Sequence, residues 1–251
     1  MKIWQLFENF NLAELNANFA ELLASVNGAK ATYLTANKTV YVATTGSDTT
    51  GDGTSGKPYK TIAKGLSVIP KNLNGFDATL FIAGGTYAEN VVVKGFHGGL
   101  LTIALQGKVT INSFTASSNQ FVFITTASVS YTLTITNTTS TAFIVAYAAN
   151  VRFHSEIVLV VNSATTLSAI QCLSFSQLSI DGTATVNNAG RAISMKANSK
   201  AFINSLTGSG NLTGIYGEEG SQFSYGTKTI SATTDHVLTG GSIITNLITM
   251  P

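Results

Sequence analysis

One apolar pattern recurs seven or eight times between Leu80 and Leu247, at a period of roughly 20 to 27 residues. In the clearest copies, four apolar positions fall at offsets 0, 2, 8 and 10. The offset of two predicts alternating strand residues. The gap between the pairs predicts turns, as at 148–150, 174–176, 197–199 and 219–221. The copies are Leu101/Ile103/Val109/Ile111, Phe121/Phe123/Val129/Tyr131, Phe143/Val145/Val151/Phe153, Ile170/Cys172/Leu178/Ile180, Ile193/Met195/Ala201/Ile203 and Ile215/Gly217/Phe223/Tyr225.

Short strands repeated in one register predict the stacked coils of a parallel β-helix, an all-β solenoid. The alternative architecture is a sandwich built from hairpins. A sandwich would not keep one register over so many copies, and it would favour Asn-Gly or Asp-Gly turns, which are few here. The β-helix predicts that Phe121, Phe143, Ile170, Ile193 and Ile215 lie in one line inside the tube.

An amphipathic helix is predicted before the repeats. Asn11 and Glu14 fit a capping box. The apolar seam that follows consists of Leu12, Leu15, Phe19, Leu22 and Val26. A helix this short is not stable alone in water, so its seam must pack on something. It either folds back on its own chain or associates with identical helices, and the second reading predicts a homo-oligomer, most simply a trimer.

Composition excludes several classes of function. Charged residues are 10% of the chain against roughly 25% in ordinary domains, and the net charge is +2, so no nucleic-acid partner is expected. The N-terminus lacks the pattern of a signal peptide, and no apolar run is long enough to span a membrane.

Cys172 falls in an inward column beside Val145 and Met195, which predicts a buried apolar thiol. No metal or other cofactor is expected.

Two segments resemble known proteins. Asn16-Ala17-Asn18-Phe19 resembles the opening of many bacteriophage tail-fibre and baseplate-attached proteins. Val40-Tyr41-Val42, the Gly-rich loop 46–54, Lys57-Pro58-Tyr59-Lys60-Thr61-Ile62 and an amphipathic helix ended by Pro70 resemble the entry segment of right-handed pectate-lyase-fold β-helices, including many viral tail spikes.

The resemblance implies an organisation for the whole chain. Residues 1–36 are expected to form a docking helix and linker, and residues 37–251 the β-helix. Within it, 37–75 would hold the entry strand, loop and a helix that caps the open end, and 76–251 the stacked coils. Asp48 and Asp52 in the loop could bind a cation, but Asp in a tight turn is the commoner explanation.

Chemistry on the outer surface has one candidate location. The repeat places Arg152, His154, Glu156 and Asp181 on one face of two adjacent coils, with His154 close enough to Asp181 for a hydrogen bond. These four residues are a proton-transfer site, a surface ion-pair patch or an inter-subunit contact. The catalytic motifs of polygalacturonases and the calcium-binding aspartates of pectate lyases are not found in the sequence, so no catalytic residue carries over from the resemblance.

The resulting expectation is a structural virion protein rather than an enzyme. It would be a tail-fibre, spike or collar component at the phage tail or baseplate. Its β-helical shaft would serve attachment or host adhesion, with other tail or baseplate proteins and host-surface glycans as partners. The first alternative is a polysaccharide-degrading tail spike, a lyase or a glycoside hydrolase, that acts through the four-residue patch. The second is a self-assembling scaffold that binds virion proteins and no cell surface.

Overall fold

The computed structural model describes most of the chain after the N-terminal segment. The described residues are 33–246 except 127–129, 138–139 and 163–165, together with Asn16, Phe19 and Ala20. By its contacts the chain divides into Met1–Thr32 and Tyr33–Pro251. The predicted domain bounds, 1–36 and 37–251, stay a prediction.

The described residues include only three positions of the predicted docking helix. Asn16, Phe19 and Ala20 are helical, and Phe19 is 56% exposed. The other seam positions lie outside the described residues: Leu12, Leu15, Leu22 and Val26. The oligomerising role of the seam therefore stays a prediction.

Parallel strands dominate the described part of Tyr33–Pro251, which also contains a short helix, α1, at Ile62–Ser67. The strands are β1 Lys38–Val42, β2 Ala78–Ile82, β3 Gly85–Lys94, β4 Leu101–Leu105, β5 Val109–Ser117, β6 Val122–Thr126, β7 Tyr131–Thr136, β8 Phe143–Ala146, β9 Asn150–Phe153, β10 Ile157–Asn162, β11 Ser168–Cys172, β12 Gln177–Asn187, β13 Arg191–Met195, β14 Lys200–Gly217, β15 Gln222–Leu238 and β16 Ile243–Asn246.

The strands stack into a parallel β-solenoid of about seven turns with a right-handed-looking winding. Three faces surround the core, because β3, β5, β12, β14 and β15 bend round corners and contribute to more than one face. The first face contains β1, β2, β4, β6, β9, the starts of β12, β14 and β15, and β16. The second contains the starts of β3 and β5, then β7, β10, the end of β12 and the middle of β14 and β15. The third contains the ends of β3 and β5, then β8, β11, β13 and the ends of β14 and β15.

Apolar side chains form continuous columns inside this stack. On the third face Phe143, Ile170, Ile193 and Ile215 pair in register and are fully buried, which confirms most of the predicted line. The same holds on the first face for Phe153, Ile180 and Ile203. Cys172 pairs with Val145 and Met195 and is fully buried, as predicted. The fold is thus an all-β parallel solenoid, and the hairpin sandwich is excluded.

The first pair of the predicted repeat at Phe121 is wrong by one residue. In its second pair, Val129 lies outside the described residues, and Tyr131 packs against the core. Val122 and Ile124 point into the core, with exposures of 0% and 1%, whereas Phe123 lies on the outer surface beside Arg152. The third-face neighbour of Phe143 is Phe114 rather than Phe121. Four consecutive apolar residues from 121 to 124 leave strand parity undetermined by hydrophobicity, and a shift of one residue exchanges core and surface.

The predicted repeat at Leu101 has the right inward residues on the wrong faces. Leu101 and Ile103 belong to the first face, but Val109 and Ile111 belong to the second. The number of residues between two strands is similar at two different corners of the coil. Sequence spacing alone therefore could not tell which two faces a repeat joins. The second face also has its own inward column, which the repeat pattern missed: Val109, Leu133, Leu159, Ala184 and Leu206.

A left-handed backbone turn joins the third face to the first in successive coils. From β8 onward, two consecutive residues have positive φ at this corner, for example Ser174 at 55° and Phe175 at 61°. Backbone amides connect the corners along the stack, as Phe175 N donates to Ala197 O at 2.9 Å. The turns predicted at Ser174–Ser176 and Ala197–Ser199 are confirmed. Their small and polar residues suit a corner that needs positive φ.

Helix α1 packs its apolar side into the core. Ile62 and Leu66 are buried, as predicted, and the helix ends at Ser67, before Pro70. A side chain on Gly65 would lie 2.6 Å from Val42 Cγ2, so glycine allows the helix to approach β1 closely. Glu89 accepts hydrogen bonds from the Ile62 and Ala63 amides at 2.9 Å, satisfying free N–H groups at the helix start. That α1 closes the open end of the tube stays a prediction.

Candidate functional surface

The four predicted site residues lie together on the outer surface, but they pair differently from the prediction. Arg152 on β9 contacts Asp181 on β12 through Nε at 2.8 Å and a terminal nitrogen at 2.7 Å. Ser179 Oγ donates to the other oxygen of Asp181 at 2.8 Å. Asp181 is therefore held by Arg152 and Ser179 rather than by His154.

His154 and Glu156 form a second, looser pair directly after β9. Nδ1 of His154 lies 4.0 Å from Glu156 Oε2, and the Glu156 amide donates to the same nitrogen at 3.4 Å. The imidazole also meets the Phe123 ring edge-on, with centroids 6.0 Å apart. Thr126 Oγ1 donates to Glu156 at 3.1 Å.

Exposure decides what this patch can do chemically. The side chains of Arg152, His154 and Glu156 are 54%, 42% and 48% exposed. Ion pairs in such surroundings contribute about 0–1 kcal/mol, because water screens the charges. The arrangement fits a surface ion-pair patch, and its catalytic reading stays a prediction.

The two aspartates of the loop 46–54 hold the backbone in place. Asp48 accepts hydrogen bonds from the Lys60 amide at 2.8 Å and from the Thr61 amide and hydroxyl at 3.0 and 2.7 Å. Burial raises the pKa of Asp48, but these hydrogen bonds together lower it by more, so the net shift of the pKa is downward. Asp52 accepts from the Thr54 amide and hydroxyl, which lowers its pKa. Both aspartates thus fit the tight-turn explanation.

A shallow outer groove lies on the first face, next to Asp181 along the stack. Its polar and aromatic lining is Asn150, Gln177, Ser179, Lys200, Phe202, Gln222 and Ser224. Two rows run along it: Gln177 pairs in register with Lys200 and Gln222, and the second row is Ser179, Phe202 and Ser224. The groove thus offers amides, a hydroxyl row and an aromatic side chain in adjacent coils.

A cluster of charges surrounds Tyr216 on the third face. The Arg191 guanidinium lies 3.6 Å from the centre of the Tyr216 ring, and Lys196 Nζ contacts Glu218 at 2.5 Å. The Tyr216 hydroxyl donates to Glu218, which raises the pKa of Tyr216. Hydrogen bonding from Lys196 lowers the pKa of Glu218. Every charge except that of Arg191 has an opposite charge beside it, and Arg191 stacks on the ring.

Sequence reasoning missed the outer groove. The groove depends on which outward positions adjoin across coils, and that follows only when the faces are assigned. Tyr147 and Phe175, by contrast, fall outside the inward columns of the repeat, which predicts that they are exposed. The structure confirms this, with exposures of 69% and 68% at corners of adjacent coils.

Comparisons with known proteins return no match: no family model, curated protein or solved structure is significantly similar to this chain. No helix within the described residues has the length and apolarity to cross a bilayer. In the same part of the chain, no three His, Cys, Asp or Glu residues come together in a way that could hold a metal ion.

Proposed function

We propose that this chain is a structural virion protein, a tail-fibre, spike or collar component whose solenoid is a rigid shaft. The supporting observation is the unbroken parallel stacking of the first face from β1 to β16. Each strand satisfies the backbone hydrogen bonds of the next, and about seven turns at ~4.8 Å each give a stack roughly 34 Å long. Such a stack resists bending because its core is continuous.

Docking on the particle is assigned to residues 1–36, through the seam that includes Phe19. An apolar side chain 56% exposed on a helix suits burial against other copies or against a tail or baseplate protein. A trimer is the simplest assembly. The resemblance of Asn16–Phe19 to the opening of tail-fibre proteins supports the same location.

Host adhesion is assigned to the outer groove. Sugars stack on aromatic rings and exchange hydrogen bonds with amides and hydroxyls, and Phe202, Gln177, Gln222 and Ser224 supply these groups. Lys200 is the cation that lines the groove. The groove is shallow and open, which suits binding along an extended polymer more than enclosure of a small ligand.

Two experiments test the proposal. Gold-labelled antibody against the chain should mark the tail or baseplate of intact particles in electron micrographs, and particles that bind no antibody after mild opening would contradict the virion assignment. Purified protein should bind host cells, and Phe202→Ala should weaken that binding. Phe81→Ala is the matched control, because Phe81 is outward on the same face but distant along the stack.

The polysaccharide-degrading alternative has a separate test. The protein is incubated with host-surface polysaccharide, and chain length is measured for the wild type and for a His154→Ala, Asp181→Ala double variant. Unshortened chains in both samples agree with a shaft and adhesin. Cleavage by the wild type that the variant loses would make the patch catalytic.

A further inference from the structure

The outer surface of the second face is an array of threonines in two columns. In the first column, residues of successive coils pair in register: Thr86, Thr110, Thr134, Val160, Thr185, Thr207 and Thr229. The second column lies two residues earlier on the strands: Thr132, Val158, Thr183, Ser205 and Thr227. These residues, all at least partly exposed, are the threonine face.

Strand propensity does not explain this concentration. Threonine is favoured in strands generally, so all three faces should share it. The outer row of the third face instead reads Thr115, Ile144, Gln171, Ser194, Tyr216 and Val237. The outer row of the first face includes aromatic and charged residues, such as Phe123, Arg152 and Phe202. Three threonines also align on the first face, Thr39, Thr79 and Thr102, but that row then continues with Phe123 and Arg152. The two columns of the second face carry hydroxyl-bearing or β-branched residues through every coil, without a charge or an aromatic ring.

The array is held at fixed spacing in two directions. Successive coils are about 4.8 Å apart, and residues two apart on a strand are about 6.6 Å apart. Buried residues between the two columns, such as Leu133, Leu159 and Leu206, anchor each strand to the core. Branching at Cβ restricts χ1, so the methyl and hydroxyl groups are ordered as well. The hydroxyls of Thr185 and Thr207, neighbours in the first column, are hydrogen-bonded to each other at 3.0 Å.

The threonine face lacks the chemical groups that usually bind proteins, nucleic acids or sugars. Protein interfaces are enriched in aromatic residues, Met and Arg, nucleic acids require cations, and sugars prefer aromatic platforms. None of these groups belongs to the threonine face. A regular lattice of methyl and hydroxyl groups instead suits ordered water, since methyl groups restrict the water above them and hydroxyls hydrogen-bond to it.

We propose that the threonine face binds ice. Its two repeat distances lie close to repeats between oxygen positions in the ice lattice, so that water ordered above the columns can merge with a growing crystal. Val158 and Val160 interrupt the hydroxyls in one coil but keep the branched shape, so the spacing of the array continues through them. The inference does not depend on the proposed virion role.

The test is ice growth in solutions of the full-length protein, observed in a nanolitre osmometer. The wild type should shape ice crystals and lower their growth temperature below the melting point. Thr185→Lys, in the middle of the face, should abolish both effects. Thr102→Lys is the matched control, because Thr102 is a partly exposed outward threonine on the first face. It should behave as the wild type, with circular dichroism confirming that both variants fold.

Val160→Thr gives a second test that does not rely on damage. It restores a hydroxyl to the interrupted coil and should increase the effect on ice. Unshaped crystals with the wild type would overturn the proposal. So would equal loss in Thr185→Lys and Thr102→Lys. If sedimentation shows self-association that Thr185→Lys alone abolishes while the wild type leaves ice unchanged, the face joins copies of the chain, and the proposal fails.

Discussion

Replacing Phe143 by alanine should test the register of the whole solenoid. Phe143 is fully buried on the third face, and its ring stacks on Phe114 with centroids 5.1 Å apart. It also meets Phe153 of the first face at 5.6 Å, so it bridges two faces of the core. Truncation would leave a cavity that close-packed strands cannot collapse to fill. Measured costs for buried Phe→Ala changes are about 3–5 kcal/mol.

Phe123→Ala provides the matched comparison. Both phenylalanines lie on strands, but Phe123 points outward beside Arg152 and His154 and is partly exposed. Its removal deletes no core contact, so we expect a cost below about 1 kcal/mol. For a domain of this size, about 3–5 kcal/mol corresponds to a melting temperature lower by roughly 6–20 °C.

Thermal and urea unfolding followed by far-ultraviolet circular dichroism would measure both variants. Because stacked coils can unfold in parts, the urea transitions must first be shown to coincide for different probes. Equal losses in Phe143→Ala and Phe123→Ala would refute the assigned parity of β6. A small loss for Phe143→Ala would refute the continuous column of the third face.

Three further predictions follow from local geometry. Ala148→Gly should stabilise the fold by about 0.5–1 kcal/mol in urea unfolding, since Ala148 has a φ of 58°, whereas Ala184→Gly in a buried strand should destabilise it. Asp48→Asn should lower stability near neutral pH, and its difference from the wild type should shrink below about pH 4. The folded-state pKa of Asp48 is lowered, so its contribution is present above the ordinary pKa of about 3.9 and is lost as the pH falls through the folded value. Burial raises the pKa of the Cys172 thiol to about 12, so a thiol reagent at pH 8 should modify it only after unfolding.

The core was predictable where inward residues alternate with polar ones or where the repeat continues through neighbouring coils. Ile170 and Ile193 are followed by Gln171 and Ser194, which sets their parity, and the repeat aligns Phe143, which has apolar neighbours, with the same column. One register buries all of them, and the structure adopts it. At 121–124 every residue is apolar, so two registers bury similar area, and packing of Val122 and Ile124 against neighbouring coils decides between them.

The candidate site was less predictable, because outer neighbours depend on the assignment of every corner. Arg152 and Asp181 were correctly placed on adjacent coils, since both follow inward residues in well-patterned repeats. The pairing of Asp181 with Arg152 rather than with His154 was not predicted. The long arginine side chain reaches across one coil, whereas the imidazole of His154 turns toward Phe123 and Glu156. Backbone register determines which residues lie close together, but side-chain length and ring stacking determine which of them form the ion pair.

Each face of the solenoid can therefore change its outer chemistry without changing the fold. Inward residues are fixed by packing, whereas the outward residue between them contacts solvent and nearby outward residues. This independence allows an amide and aromatic groove on the first face, a charged tyrosine cluster on the third and a neutral threonine lattice on the second. Substitutions such as Phe202→Ala and Thr185→Lys should consequently alter one surface each. If either change also impaired the surface assigned to the other, the three faces would not be independent, and the separate roles proposed for them would have to be abandoned.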